Sequence, residues 1–202
     1  MKRLKRCANL VRLAMGASLL IGLGDYVLLK MGEPVGPFLF SFGLLGVCIL
    51  GLNLFTGKCG FWFEDGISVL DLLIILVVNL VAGYGFGALF SMMDGTVVNA
   101  AVGKVAAWDC NLAFFLKSVM CGAIMYLAVE LYRRGTKLGI LLGVPLFIFA
   151  GFQHSIANAI TMGAAGAFSW TVLLCALGNL VGALSAWSLC CGIEIKGAKK
   201  KK

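Results

Sequence analysis

Six long apolar stretches follow one another along the chain, separated by short segments that contain most of its charges. They cover approximately residues 10–29, 37–55, 66–90, 112–132, 138–162 and 168–191. A bilayer core about 30 Å thick requires about 20 apolar residues per helix, and helices pair their backbone polar groups internally. The stretches do not alternate apolar and polar residues as barrel strands do. The pattern therefore predicts six transmembrane helices.

The composition also favours an integral membrane protein. Of the 202 residues, 61% are hydrophobic and 13% are charged, and the mean hydropathy is +1.00, whereas soluble domains are about half apolar. The first apolar stretch is not followed by a small-residue cleavage pattern and a polar domain. We therefore interpret it as a retained helix and not as a signal peptide.

The uneven distribution of basic residues predicts the orientation of the chain. With the N-terminus inside, Lys104 and Lys30 are outside and Lys117 lies within the fourth stretch. The remaining 14 of the 17 basic residues then flank the inner side: Lys2, Arg3, Lys5, Arg6, Arg12, Lys58, Arg133, Arg134, Lys137, Lys196 and Lys199–Lys202. We therefore expect a multi-pass protein of the cell inner (plasma) membrane with both termini cytoplasmic. The net charge of +8 follows from this asymmetry and indicates lipid headgroups, not nucleic acid, as a partner.

The eight cysteines and the single histidine do not indicate a metal or cofactor site. The cysteines are scattered, mostly within apolar stretches, and no C-x-x-C pair occurs. Zinc and haem sites need clustered cysteine or histidine ligands. We therefore predict no metal and no cofactor, and we interpret the cysteines as small buried hydrophobic residues.

The two halves of the chain echo each other. Asn79-Leu-Val-Ala-Gly and Asn179-Leu-Val-Gly-Ala are 100 residues apart, and a weaker echo aligns the segments that begin at Asn53 and Asn158. A repeat of three helices inverts the second half relative to the first, and inverted repeats build a pathway with its site near the midplane. We therefore expect a single channel domain, residues 1–202, with repeats of about 8–92 and 110–192.

The fifth stretch contains four polar residues at membrane depth, including His154, the only histidine of the chain. An ionisable group in a membrane usually faces a bundle interior or a pathway, because exposure to lipid costs several kcal/mol. A neutral imidazole donates one hydrogen bond and accepts another. His154 could therefore contact an anion or carry a proton, or it could simply join two helices.

The second stretch ends in the glycine-bracketed segment Gly51-Leu-Asn-Leu-Phe-Thr-Gly57. Polar sequence of this kind at membrane depth indicates an interrupted helix or re-entrant loop, which requires protein or a water-filled cavity around it. Thr56 would supply a hydroxyl group there. Lys58 follows directly and is either a cytoplasmic lysine or a second positive charge in the pathway.

The chain resembles the formate/nitrite transporter family. Gly151-Phe-Gln-His-Ser-Ile-Ala-Asn158 is similar to that family's G-F-E-H-S-(I/V)-A-N signature. Phe40-Ser-Phe-Gly-Leu44 and the following Leu-Phe-Thr56 resemble its F-S-x-G-L and L-F-T elements at the same spacing. The resemblance extends over essentially the whole chain. It implies an all-α, aquaporin-like protomer with six transmembrane helices, the second and fifth interrupted, assembled as a homopentamer.

The resemblance also implies a function and roles for individual residues. Each protomer would conduct small monovalent anions such as formate, nitrite, hydrosulfide, lactate or acetate. Four residues would line or bind along the substrate pathway: His154, Thr56, Lys104 and Asn158. Four others would form the pore constriction: Phe40, Leu44, Leu54 and Phe147.

Several positions depart from the family pattern. Gln153 stands where the family has a glutamate before the histidine, and Asn53 stands where it has an acidic residue before L-F-T. Both changes remove a negative charge, which indicates either mutual compensation or a different selectivity. The asparagine expected on the fourth helix near Gly122 is absent.

We hypothesise that an anion is attracted by a positive vestibule and neutralised by a proton near His154 and Thr56. It would then cross the apolar constriction as an acid. One alternative is a pore for a small neutral solute on the same fold, and another is a structural membrane protein that does not conduct. A membrane enzyme with Thr56 as nucleophile and His154 as base lacks a third, orienting acid, and we do not predict an enzyme.

Overall fold

The computed structural model describes residues 2–190, and this part of the chain is helical. Lys196 and Lys199–Lys202, which enter the orientation argument, lie outside the described residues, as does Cys191 at the end of the sixth apolar stretch. The helices are α1 (Lys2–Met31), α2 (Val35–Ile49), α3 (Phe55–Lys58), α4 (Trp62–Asp65), α5 (Val69–Ser91), α6 (Gly95–Ala106), α7 (Leu112–Arg133), α8 (Leu138–Phe149), α9 (Ser155–Ala165) and α10 (Thr171–Cys190). A short 3-10 turn, Cys59–Phe61, joins α3 to α4.

Four of the described helices are long and apolar enough to cross a membrane. They are α5, α7 and α10 over their full lengths and Lys5–Met31 of α1. The apolar helices α2 and α8 are shorter, with 15 and 12 residues. Large apolar side chains face outwards from the bundle, among them Phe42 and Val81, as lipid or a neighbouring subunit requires. The prediction of an all-α membrane protein is confirmed.

Both short apolar helices end before a glycine in the left-handed conformation. Gly51 follows α2 with φ +62° and Gly151 follows α8 with φ +67°, a backbone state that glycine adopts without steric penalty. After a short extended segment, α3 begins at Phe55 and α9 begins at Ser155. The two polar segments singled out in the sequence are therefore turns between helices, at positions 100 residues apart.

Asn79 on α5 holds the first turn in place. Its side-chain oxygen accepts a hydrogen bond from the backbone N–H of Phe55 at 2.8 Å. Its side-chain nitrogen donates to the carbonyl oxygens of Ala14 on α1 at 2.8 Å and of Asn53 at 3.1 Å. One buried amide therefore bonds two backbone groups of the turn and joins the turn to α1.

Asn179 on α10 holds the second turn through equivalent bonds. Its oxygen accepts from the N–H of Ser155 at 2.9 Å. Its nitrogen donates to the carbonyl oxygens of Ser118 on α7 at 2.8 Å and of Gln153 at 2.9 Å. The stronger of the two sequence echoes therefore corresponds to a shared structural role.

The weaker echo was wrong in register. Because Asn79 bonds the carbonyl of Asn53 and Asn179 bonds that of Gln153, Asn53 is structurally equivalent to Gln153 and not to Asn158. The echo was based on matching residue types. The structural equivalence of two positions is instead set by the backbone groups that each turn leaves unpaired.

Close glycine contacts bring α9 against α5 and α10 against α7. A Cβ atom on Gly87 would lie 1.9 Å from the carbonyl oxygen of Ile160, and one on Gly163 would lie 2.0 Å from that of Tyr84. A Cβ on Gly122 would lie 2.1 Å from the carbonyl oxygen of Asn179. Small residues permit such approach between membrane helices. The asparagine that the family pattern led us to expect near Gly122 would not fit at this position.

Candidate functional site

His154 lies at the turn between α8 and α9 and caps the N-terminus of α9. It is 2% exposed, and its Nδ1 accepts a hydrogen bond from the backbone N–H of Ala157 at 3.1 Å. The first N–H groups of a helix have no partner within the helix, and a capping side chain supplies one. Nδ1 must therefore carry a lone pair, which assigns the proton of the neutral ring to Nε2.

Thr56 is the partner of that second ring nitrogen. Its Oγ1 lies 2.8 Å from Nε2 of His154, and its side chain is buried near the N-terminus of α3. Because Nε2 carries the proton, the imidazole donates and the threonine oxygen accepts. The hydroxyl group of Thr56 retains its own hydrogen, so it can donate a hydrogen bond to a third molecule.

Leu54 occupies the position in the first turn that His154 occupies in the second. Leu54 precedes α3 with φ −99° and ψ 126°, and His154 precedes α9 with φ −106° and ψ 116°. Two similar backbone turns thus present an apolar side chain in one case and an imidazole in the other. The two turns are therefore chemically different although the backbone angles at these two positions are similar.

Apolar groups surround the Thr56–His154 pair. The Phe147 ring stacks on the imidazole with centroids 5.8 Å apart, and the Phe40 ring meets Phe147 edge-on at 6.1 Å. Leu44 and Leu54 are also buried. The structure therefore places Phe40 and Phe147 beside the imidazole, whereas Leu44 and Leu54 share the lining of another cavity.

An outer cavity of about 250 Å³ reaches these residues from one side. Phe40, Phe147 and His154 line its inner end, and Lys104 and Asn158 also line it. Under the orientation predicted from the basic residues, this is the outer face. Lys104, predicted to lie on the outer side, is thus located at the same cavity as the histidine.

An inner cavity of about 220 Å³ approaches from the opposite side and is lined by Leu44, Leu54 and Lys58. Arg133 also lines it, but its guanidinium bonds Asp65 at 2.7 Å and lies 4.2 Å from the Phe61 ring centre. Lys58 lies just after the first of the two turns and lines this cavity; both interpretations of it, as a cytoplasmic lysine and as a positive charge in the pathway, stay predictions.

Gln153 forms a local hydrogen-bonded unit with Asn158. The Asn158 Nδ2 donates to Oε1 of Gln153 at 3.0 Å, and Nε2 of Gln153 donates to the carbonyl oxygen of Gly151 at 3.2 Å. A glutamate could accept the first bond but could not donate the second. The oxygen and nitrogen of the neutral Gln153 side chain therefore both have hydrogen-bond partners, on Asn158 and in the turn itself.

Asp25 and Thr161 also belong to this site, although no motif in the sequence pointed to them. Asp25 on α1 is 1% exposed and Thr161 on α9 is 2% exposed, and Oγ1 of Thr161 donates to Oδ2 of Asp25 at 2.9 Å. Both line the outer cavity. A signal was present, since Asp25 is an acidic residue inside the first apolar stretch, where an ionisable group marks a functional position by default.

Asp94 positions the helix that carries Lys104. Its Oδ1 accepts from the N–H of Thr96 at 2.8 Å and caps α6, while its Oδ2 pairs with Lys30 Nζ at 2.9 Å. The hydrogen bond from Lys30 is the main reason that the pKa of Asp94 lies below its ordinary value, and the Thr96 N–H contributes further. The end of α1 and the start of α6 are thereby joined, although the sequence pattern did not predict α6.

The described residues contain no group of three or more histidine, cysteine, aspartate or glutamate side chains that could hold a metal ion. The two cavities and the Thr56–His154 pair between them offer hydrogen-bond donors, two lysines and a buried carboxyl group. Such a set can bind and neutralise a small anion.

Comparisons with known proteins agree with this description. The chain matches the family Formate/nitrite transporter over residues 5–193. It is 28% identical over 182 residues to "Uncharacterized transporter YrhG" of Bacillus subtilis (strain 168), covering 76% of this chain and 68% of that protein.

Two solved structures are similar in fold. One, "FNT family ion channel", has a TM-score of 0.69 at 24% identity. The other, "Pentameric formate channel with formate bound", has a TM-score of 0.72 at 21% identity. Each comparison covers 89% of this chain and 93% of the solved chain. Because the family match spans nearly all of its length, the chain belongs to the formate/nitrite transporter family, whose members are membrane transport proteins and not enzymes.

Proposed function

We propose that the protein is a channel for the anions of small weak acids, such as formate, nitrite or hydrosulfide, and that the anion is neutralised beside His154. The observation that carries this proposal is the bond between Thr56 and His154 at 2.8 Å, with cavities on either side. Each cavity has a lysine, Lys104 or Lys58, and an apolar constriction separates them. Positive charge at each mouth favours an anion, whereas the constriction favours a neutral molecule.

The free-energy cost of removing water from the anion supports passage through the constriction as the neutral acid. Moving an isolated carboxylate into an apolar medium costs tens of kcal/mol, whereas a neutral polar group costs about 2–7 kcal/mol. The Phe40 and Phe147 rings and the Leu44 and Leu54 side chains offer the anion no compensating hydrogen bonds. Protonation before the constriction therefore removes most of the barrier.

The geometry of the pair suggests how the anion is held. Nε2–H of His154 donates to Thr56, the hydroxyl hydrogen of Thr56 donates to the anion, and a proton from the outer cavity binds the anion. The neutral acid then passes Leu44 and Leu54 and releases its proton to water in the inner cavity. One anion and one proton cross together, and His154 stays in the neutral state in which it caps α9.

We further propose six membrane crossings in an inverted repeat, within one channel domain of residues 1–202 and repeats of about 8–92 and 110–192. The second crossing consists of α2 followed by α3, and the fifth crossing consists of α8 followed by α9. The equivalent bonds of Asn79 and Asn179 support this arrangement. The distribution of basic residues supports cytoplasmic termini in the plasma membrane. The similarity to a pentameric formate channel supports a homopentamer.

Flux measurements on the purified protein in liposomes test the proposal. Formate, nitrite and hydrosulfide are compared with urea and glycerol under an inward proton gradient. We expect one or more of the anions to enter together with protons, and urea and glycerol to remain excluded. Flux of the neutral solutes without anion flux would instead identify a neutral-solute pore, and absence of all flux would identify a protein that does not conduct.

A further inference from the structure

Asp25 is a buried carboxyl group that the proposed transport step does not use. It is 1% exposed, and its described hydrogen bond comes from Thr161, 136 residues away in sequence. Burying a carboxylate without full compensation is destabilising. The chain has the neutral residues Gln153 and Asn53 at two positions where acidic residues were expected, and yet it has an acidic residue at position 25.

The surroundings of Asp25 connect it to the anion pathway. It lines the same outer cavity as Lys104, His154 and Asn158, and the Lys104 charge interacts with its carboxylate. The other charged group that lines this cavity is Glu33, which is exposed at the rim. α9 contributes the neutral Thr161 and Asn158 to the same face.

We propose that Asp25 is a proton-donating residue of the outer cavity that supplies the proton with which an incoming anion is neutralised. The inference rests on the proposed function and names the source of its proton. Thr161 orients the carboxyl group, and Lys104 attracts the anion to the same cavity.

The step balances as a simple proton transfer. When Asp25 is protonated, the charge of Lys104 is not cancelled and an anion is attracted. The Asp25 O–H bond breaks, the proton bonds to the anion, and a carboxylate and a neutral acid result. The carboxylate then pairs electrostatically with Lys104 and regains a proton from the outer solution. No further reactant is required.

Asp25→Asn in the full-length protein in liposomes tests the inference, with formate, nitrite or hydrosulfide as the probe. At near-neutral outer pH, where free acid is scarce, we expect flux about tenfold or more below that of the wild type, because general acids typically contribute 10²–10⁴-fold. At acidic outer pH the solution supplies the neutral acid directly, so we expect recovery to within about twofold of the wild type.

This pH-dependent recovery distinguishes proton donation from a structural role, because a distorted cavity would lower flux at both pH values. Asp25→Glu keeps the carboxyl group and retains flux at near-neutral pH. Glu33→Gln removes an acid from the rim and leaves the profile unchanged. If Asp25→Asn does not assemble, Asp25→Ser offers a second neutral variant that keeps a polar partner for Thr161.

Three results would contradict the role of Asp25 as a proton donor. Wild-type flux in the neutral variants at near-neutral pH would overturn the inference and leave the proposed function intact. Increased flux there would also overturn it, since Asp25 would then act only as a fixed charge that repels anions. If the wild-type protein conducts none of the three anions, both the proposed function and this inference fail.

Discussion

Thr56 and His154 are 98 positions apart in sequence, and the hydroxyl oxygen of one lies 2.8 Å from Nε2 of the other. The pair forms because α3 and α9, which follow the two turns, begin near each other. Asn79 and Asn179 hold these starting points through equivalent bonds. The relationship turns two separate polar motifs into one site.

Thr56→Val retains the shape of the side chain and removes the acceptor for Nε2–H of His154. A buried donor left unpaired costs about 1–3 kcal/mol, and the anion loses the hydroxyl group that donates to it. We expect anion flux in liposomes to fall by about tenfold or more, equivalent to about 1.4 kcal/mol or more. Thr56→Ser keeps the hydroxyl group and serves as the control; equal flux in the valine and serine variants would remove Thr56 from the pathway.

Asn79→Ala and Asn179→Ala remove the hydrogen bonds that hold the two turns. Interhelical hydrogen bonds in membrane proteins average about 0.6 kcal/mol and reach about 1.7 kcal/mol. Each asparagine makes several, so we expect each variant to lose about 2–3 kcal/mol of stability. Thermal unfolding in detergent measures the loss. Asn99→Ala, at an exposed position of α6, is the control, and an equal effect at all three positions would contradict the shared role.

Gly87→Ala tests the close packing of α5 against α9. The added Cβ would lie 1.9 Å from the Ile160 carbonyl oxygen, so the helices must separate, and overpacking typically costs about 1–3 kcal/mol. Gly85→Ala, in the same helix with nothing within 4 Å of the added atom, is the matched control and is expected to be neutral or slightly stabilising. A stable Gly87→Ala protein with unchanged flux would refute the contact.

Acid is expected to loosen α6 through Asp94. The pKa of Asp94 in the folded protein lies below the ordinary value of 3.8, mainly because Lys30 bonds its charged form. For an acid with a lowered pKa, the stabilisation is present above the ordinary pKa and is lost as pH falls through the lowered one. Amide-exchange protection factors in α6 are therefore expected to decrease at strongly acidic pH.

Asp94→Asn keeps an oxygen that can cap α6 but removes the ionised partner of Lys30. We expect the protection of α6 in this variant to be lower above the ordinary pKa and insensitive to acid. Asp109→Asn, in the exposed segment after α6, leaves the acid response unchanged. An acid response that persists in Asp94→Asn would assign it to another group.

Local sequence predicted those features that depend on local chemistry. The glycine-bracketed segment predicted a break after the second stretch, where Gly51 has a positive φ that glycine readily adopts. The apolar lengths predicted the four described helices that are long enough to cross a membrane. The conclusion that the protein is not an enzyme is confirmed by its family. The histidine and threonine motifs named two residues that do lie in contact.

Features that depend on distant packing were not predicted. The partner of Asp25 lies on α9, 136 residues away, and no pattern within α1 reveals it. The register of the second echo was wrong because matching asparagines in sequence, Asn53 and Asn158, ignores which backbone groups each turn leaves unpaired. The helix α6 was missed because its stability depends on a cap and an ion pair with α1.

The proposed transport step depends most directly on the imidazole of His154. His154→Asn is the sharpest variant, since asparagine is a good N-cap and its side-chain oxygen can accept from Ala157 where Nδ1 does now, while nothing replaces Nε2. Proton-coupled anion flux of the variant in liposomes is measured against the wild type across outer pH, with pentamer assembly and thermal stability as controls. We predict a folded protein whose flux is lost or reduced to a leak that ignores pH; wild-type, pH-dependent flux in that folded variant would contradict the account.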